Sequence, residues 1–176
     1  PIDSRHFRNA LGAFATGVTV VTTRDVDGGD IGLTASSFNS VSLEPPLILW
    51  SLARNAASLP AFMACEHFAV HVLSVAQQDL SDRFSRKGAD KFANISVQRG
   101  PAGIPLLADC TARFICKMTY RYEGGDHIIL VGEVIEFEHS GQAPLLFHSG
   151  KYGRVLPKLA SPDTPDANDD ISNYLG

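Results

Sequence analysis

The stretch TARFICKMTYRYEGGDHIILVGEVIEFE, residues 111–138, decides the architecture. Ala112, Phe114, Cys116, Met118, Tyr120 and Tyr122 fall on one face. Thr111, Arg113, Lys117, Thr119 and Arg121 dominate the other. This is the two-residue period of a strand, with Ile115 as the exception. Glu123-Gly124-Gly125-Asp126 reads as a turn, and residues 127–138 return as a second long strand. Two long strands joined so tightly make an antiparallel hairpin.

The flanking segments read the same way. Residues 18–23 are β-branched throughout, and Asp27-Gly28-Gly29-Asp30 turns them into a return strand over 31–38. Pro45-Pro46 ends one element, residues 47–52 read as a buried strand and 68–73 as another. A last strand and turn occupy 145–155. Helices are few. Asp3 or Ser4 caps the first, which carries Phe7, Ala10, Leu11 and Phe14 at helical spacing and stops at Gly17. Ser58 caps a short second one with Pro60 in its first turn. Ser74 and Gln77 form a capping box before a third that ends near Ser85. Residues 86–110 read as irregular. Neighbouring strands without regular strand–helix alternation predict a mostly β, antiparallel barrel with peripheral helices, not a doubly wound parallel sheet.

The 176 residues, 44% hydrophobic and 19% charged, suit one domain with a real core. Residues 1–156 read as that domain. Residues 157–176 read as an acidic, Pro-rich arm, with Pro157, Pro162 and Pro165 among Asp163, Asp166, Asp169 and Asp170. Most of the net charge of −4 sits in this arm, so the body is nearly neutral. A neutral body lacks the footprint of a nucleic-acid binder or of an anionic membrane surface. No apolar run approaches a bilayer span and no leader opens the chain, so a cytoplasmic location is expected. Cys65, Cys110 and Cys116 are odd in number with no Cys-x-x-Cys, which predicts buried free thiols rather than disulfides or zinc. His67 and His71 are four apart in a strand, not on a helix, so no metal site is expected.

Several short stretches could carry chemistry. Thr34, Ala35, Ser36 and Ser37 crowd a strand end with small side chains, which lets a flat ligand approach the main chain. The same residues also suit a polar edge strand. Ser51-Leu52-Ala53-Arg54-Asn55 and Ser58 lie between a strand and a helix start, where free N–H groups and neutral donors suit a phosphate; plain capping is the alternative. Arg83, Arg86, Lys87 and Lys91 form a cationic cluster that could close over a dianion or simply be a solvated charge run. His127 heads the long return strand at a hairpin mouth, and Tyr152 lies in a Gly-flexible aromatic turn.

Taken in order, FRNALGAFATGVTVVT (7–22), GLTASSF (32–38), SLEPPL (42–47), Gly125-Asp126-His127 with Gly132-Glu133-Val134, and FHSGKYG (147–153) resemble the short-chain flavin reductase family. Its members are reductase components of two-component flavin-dependent monooxygenases. The resemblance covers residues 5–156. It implies an FMN-binding split β-barrel of Greek-key type, a homodimer, and reduction of FMN or FAD by NADH or NADPH for a partner monooxygenase. It implies that Thr34, Ala35, Ser36 and Ser37 hold the ring edge and ribityl chain. Ser51, Leu52 and Ala53 would give backbone contacts, while Asn55 and Ser58, with Arg86 or Lys87, would meet the phosphate. His127 would sit by the nicotinamide or flavin as the catalytic residue, and Tyr152 near the nicotinamide. Three alternatives stand beside this: a barrel that retains its flavin, as an oxidase, ferric reductase or monooxygenase; a non-catalytic flavin-binding module; and a barrel that binds no flavin.

Overall fold

The computed structural model describes residues 1–88 and 90–157; the expected acidic arm lies outside them from residue 158 onward. In chain order the elements are α1 (Ser4–Gly12), β1 (Thr16–Gly17), β2 (Thr19–Arg24), β3 (Asp30–Ala35), β4 (Asn39–Leu43), β5 (Pro46–Ala53), α2 (Leu59–Ala64) and β6 (His67–Val72). A 3-10 turn at Val75–Gln77 leads into α3 (Gln78–Ser85). Then come β7 (Gln98–Arg99), β8 (Pro105–Leu106), β9 (Ala112–Gly124), β10 (His127–His139), β11 (Leu145–His148) and β12 (Lys151–Arg154).

Seven strands form one sheet in the order β3-β2-β6-β9-β10-β5-β4, and every pairing in it is antiparallel. The sheet curls into a split barrel, and β3 approaches β5 across its seam. There the Ser51 N–H donates to Ser37 Oγ at 2.9 Å, and the Ser37 hydroxyl reaches the Ser51 carbonyl at 3.2 Å. Trp50, Phe62, Phe68 and Leu130, each fully buried, fill the barrel with Val21 and Cys116. On β5, Ile48, Trp50 and Leu52 point into this core while Ser51 and Ala53 alternate away from it. A smaller sheet of β1, β11 and β12 packs beside the barrel.

The long hairpin forms as the period-two pattern predicts, with two bulges that shift its register near Val131/Gly132 and Val134/Glu136. A Cβ on Gly132 would lie 2.4 Å from the Phe68 ring, so only glycine fits there. Ile115, the exception in the pattern, is buried in its own cluster with Ala69, Ile104 and Leu106, because the segment carrying β8 covers that face. The same cover buries Arg113, which pairs with Glu138 at 3.0 Å and donates to the Leu107 carbonyl. His71 is fully buried in the frame. Leu107 N–H donates to its Nε2 at 3.0 Å, so Nδ1 carries the proton to the Val20 carbonyl at 2.9 Å. Desolvation pushes its pKa down to about 4. The three cysteines are free, and desolvation raises Cys110 to about 11 and Cys116 to about 12.

Some boundaries differ from the sequence reading. α1 is capped by Asp3, whose carboxylate accepts from the His6 N–H at 2.7 Å, but it ends at Gly12, before Phe14. None of its residues is buried, so Phe7, Leu11 and Phe14 face outward. The return strand β3 stops at Ala35 rather than at residue 38. β4 is an unanticipated edge strand, joined to β5 through a cis Glu44–Pro45 bond. Within 86–110, β7 and β8 make a short hairpin. No helix among the described residues is long and apolar enough to cross a membrane.

Candidate functional site

Two cavities open along the barrel seam. The first, of about 530 Å³, is lined by Leu33 to Ser37 on one side and by Ser51, Leu52, Ala53 and Ala56 on the other. Gly124, His127 and Ile129 complete it. Register explains the arrangement. The β10–β5 pairing sets His127 opposite Ala53 and Ile129 opposite Ser51, while the β2–β3 pairing sets Ala35 opposite Thr19. The Thr19 hydroxyl donates to the Ala35 carbonyl at 2.7 Å, and the Thr34 hydroxyl donates to the Ser81 carbonyl at 2.7 Å. Leu52 is only 2% exposed and belongs to the core, so what it offers this cavity is main chain.

Among the described residues, His127 is the only ionisable side chain lining this first cavity. Its Nδ1 lies 2.7 Å from Asp126 Oδ1, which fixes the ring by one nitrogen and leaves Nε2 without a protein partner among the described residues. The same hydrogen bond holds the Asp126 carboxyl below its ordinary range.

The second cavity, of about 510 Å³, shares Leu33, Thr34 and Ala56 with the first, so the two adjoin along one groove. Asn55, Ser58, Arg86 and Lys87 all line it. Ser58 stands at the N-cap of α2 but has helical backbone (φ −80°, ψ −9°), and its hydroxyl makes no capping bond. Because α2 has only six residues, the polar groups that this cavity offers are side chains rather than a helix terminus. Arg86 and Lys87 are exposed, and their side chains make no hydrogen bond or ion pair among the described residues. Two carboxylates also border the cavity. Asp30 is already held by Arg99, while Asp90 is exposed.

Of the residues that the resemblance implies, all but Tyr152 line these two cavities. Tyr152 lines neither cavity. Its β11–β12 sheet sets it against α3, where the hydroxyl donates to Asp82 Oδ1 at 2.8 Å and lies 2.7 Å from Ser81 Oγ. Burial raises its pKa. Arg54 also departs from the phosphate role, because it turns to the β9–β10 turn and donates to the Gly125 carbonyl at 2.8 Å. Leu33, Ala56 and Ile129, whose apolar side chains carry no chemical signal, and Gly124, which has no side chain, also line the first cavity without having been singled out from the sequence. Equally without a sequence signal is the aromatic floor under Gly32, where Phe84 and Phe92 meet edge to face at 5.0 Å.

A neutral cavity with main-chain and hydroxyl donors fits an uncharged polycyclic ring. A cationic continuation with Asn and Ser donors fits a phosphate. Together they match the donor set that a flavin nucleotide requires.

Known proteins agree. The model of the flavin reductase like domain family matches residues 11–156. FMN reductase (NADH) SmoA of Agrobacterium fabrum is 48% identical over 152 residues, covering 86% of each chain. HsaB, the reductase subunit of a flavin-dependent monooxygenase of Rhodococcus jostii, is 38% identical over 175 residues, covering 99% of this chain and 88% of its own. Among solved structures, the NADH:FAD oxidoreductase SgcE6 of Streptomyces globisporus, in complex with NAD and FAD fragments, superposes with a TM-score of 0.80. That match has 35% identity and covers 93% of this chain and 96% of that one. On a family match spanning nearly the whole barrel and on relatives of this similarity, the chain belongs to the flavin reductase-like domain family.

Proposed function

We propose that the protein is an NAD(P)H-dependent flavin reductase that reduces FMN or FAD by hydride transfer and supplies the product to a partner monooxygenase. The observation that carries this reading is the groove, neutral at the end lined by Thr34–Ser37 and Ser51–Ala53 and cationic at the end lined by Asn55, Ser58, Arg86 and Lys87. A flavin held there would supply N5 as the acceptor for the hydride given up by the nicotinamide C4. The chain's own residues bind and orient. Main-chain N–H groups of the β3 and β5 ends act as donors to a ring that gains negative charge. His127, held through Nδ1 by Asp126, presents Nε2 to the nicotinamide as a positioning group at the mouth of the neutral end. Asn55, Ser58, Arg86 and Lys87 hold the phosphate. Exposed cations flanked by Asp90 give a moderate grip, which suits a flavin that must leave again.

The working unit in this reading is a homodimer. α1 buries none of its residues, and Phe7, Leu11 and Phe14 are exposed together with Tyr120, Tyr122, Ile135 and Phe137 of the long hairpin. So much uncovered apolar surface calls for a second copy. Three free cysteines suit a reducing, cytoplasmic compartment.

Steady-state NADH and NADPH oxidation against added FMN and FAD tests the reading. The rate is expected to require free flavin and to saturate with it. A rate unchanged by added flavin would point to a retained flavin, and binding without turnover to a non-catalytic module. Light scattering should give about twice the chain mass of 18.9 kDa.

A further inference from the structure

Four cations lie between residues 83 and 91, and two of them are committed to the main chain. Arg83 Nη1 donates to the Ala93 carbonyl at 2.7 Å. Lys91 Nζ donates to the Phe84 carbonyl at 2.9 Å and to the Gly32 carbonyl at 3.1 Å. These two carbonyls belong to different elements. Phe84 is the penultimate residue of α3, where carbonyls lack helical partners, and Gly32 lies on β3, the edge of the seven-stranded sheet. Lys91 is half-buried, and burial lowers its pKa, whereas Arg86 and Lys87 stand exposed between the two anchor points. The aromatic floor lies directly beneath. Phe84 is fully buried, and a Cβ on Gly32 would come within 2.7 Å of its ring.

We propose that Lys91 is a positioning residue that buckles the chain after α3 to β3, and that it thereby holds Arg86 and Lys87 at the phosphate end of the groove. This rests on the flavin reading for its consequence but not for its geometry. Without the buckle, the segment carrying the two cations samples more conformations, and each ligand-binding event must order it again.

Lys91→Met keeps the aliphatic stem and removes the donors; Lys91→Arg keeps a charged donor. Trypsin cleavage after Arg86 and Lys87 in the ligand-free protein, followed by mass spectrometry, reads the buckle directly. Lys91→Met should be cut about tenfold faster than wild type, and Lys91→Arg at a rate closer to wild type. In flavin titrations, Lys91→Met should weaken FMN about tenfold and riboflavin less than twofold. In an Arg86→Ala/Lys87→Ala background the same change should move FMN less than twofold, because the groups it positions are gone. Wild-type cleavage and FMN affinity in Lys91→Met would overturn the proposal. So would a tenfold FMN loss that persists in the background lacking both cations, since Lys91 would then touch the phosphate itself. If the Met variant fails to fold, Lys91→Gln carries the same measurements. If wild-type protein binds no flavin, the flavin reading fails while the cleavage result still decides the buckle.

Discussion

The two ends of the groove are built by different means. The neutral end is set largely by strand register: β3 carries Thr34 and Ala35, with Ser36 and Ser37 directly after it, while the β10–β5 pairing aligns His127 with Ala53 and Ile129 with Ser51. The cationic end is made by single side chains reaching across the fold, Arg83 to Ala93 and Lys91 to Phe84 and Gly32. A site set by register inherits the stability of the sheet. A site set by a few long side chains can be loosened on its own, which is useful where affinity for a departing ligand must stay moderate.

The largest effect expected from separating the two ends comes from Gly32. Gly32→Val would drive a side chain into the Phe84 and Phe92 rings, whose nearest atoms lie 2.7 and 3.2 Å from the Cβ position. Overpacking of this kind costs about 2–3 kcal/mol. Thermal denaturation should show a Tm lower by about 5–10 °C, and FMN affinity should fall more than riboflavin affinity. Equal loss of both would mean that the ends are not independent.

The shared frame should respond to acid. His71 has its pKa lowered from 6.5 to about 4, so the unfolded chain binds the extra proton first as pH falls. Stability is therefore retained above pH 6.5 and lost between 6.5 and 4, by at most about 3 kcal/mol. Denaturant midpoints across that range should show the slope in wild type and a shallower one in His71→Gln. An unchanged slope would remove His71 from the account.

Much of this frame was legible in the sequence. Periodicity over 111–138 located the central hairpin, and the β-branched run at 18–23 located its neighbour. The neutral end was legible because small residues at a strand end have a local reason to be there. β4 was not, since Asn39, Ser40 and Ser42 make a polar edge with no alternation to detect. The contacts of Tyr152 were not legible, because its partners Ser81 and Asp82 are some seventy residues away in sequence. Lys91 was read only as part of a charge cluster, because the carbonyls it binds carry no sequence signature.

Smaller effects sharpen the contrast further. His127→Ala should slow hydride transfer or weaken nicotinamide binding about tenfold while changing flavin affinity less, as stopped-flow reduction at varied NADH would show. Ser37→Ala removes the hydroxyl that bridges the Ser51 N–H and carbonyl across the seam. One hydrogen bond of this kind is worth about 1 kcal/mol, so FMN and riboflavin should both weaken about fivefold. Ser58→Ala, at the other end, should weaken FMN a few-fold (about threefold) and leave riboflavin unchanged. Quenching of Trp50, the sole tryptophan, provides the titration signal. If the two serine variants behave alike, the division of the groove is wrong.

The most direct measurement is a crystal structure of the protein with FMN. The ring should lie against the main chain of residues 34–37 and 51–53, with the phosphate in hydrogen-bond reach of Asn55, Ser58, Arg86 or Lys87. Density for the flavin elsewhere, or a ring lying over the cationic end, would contradict it.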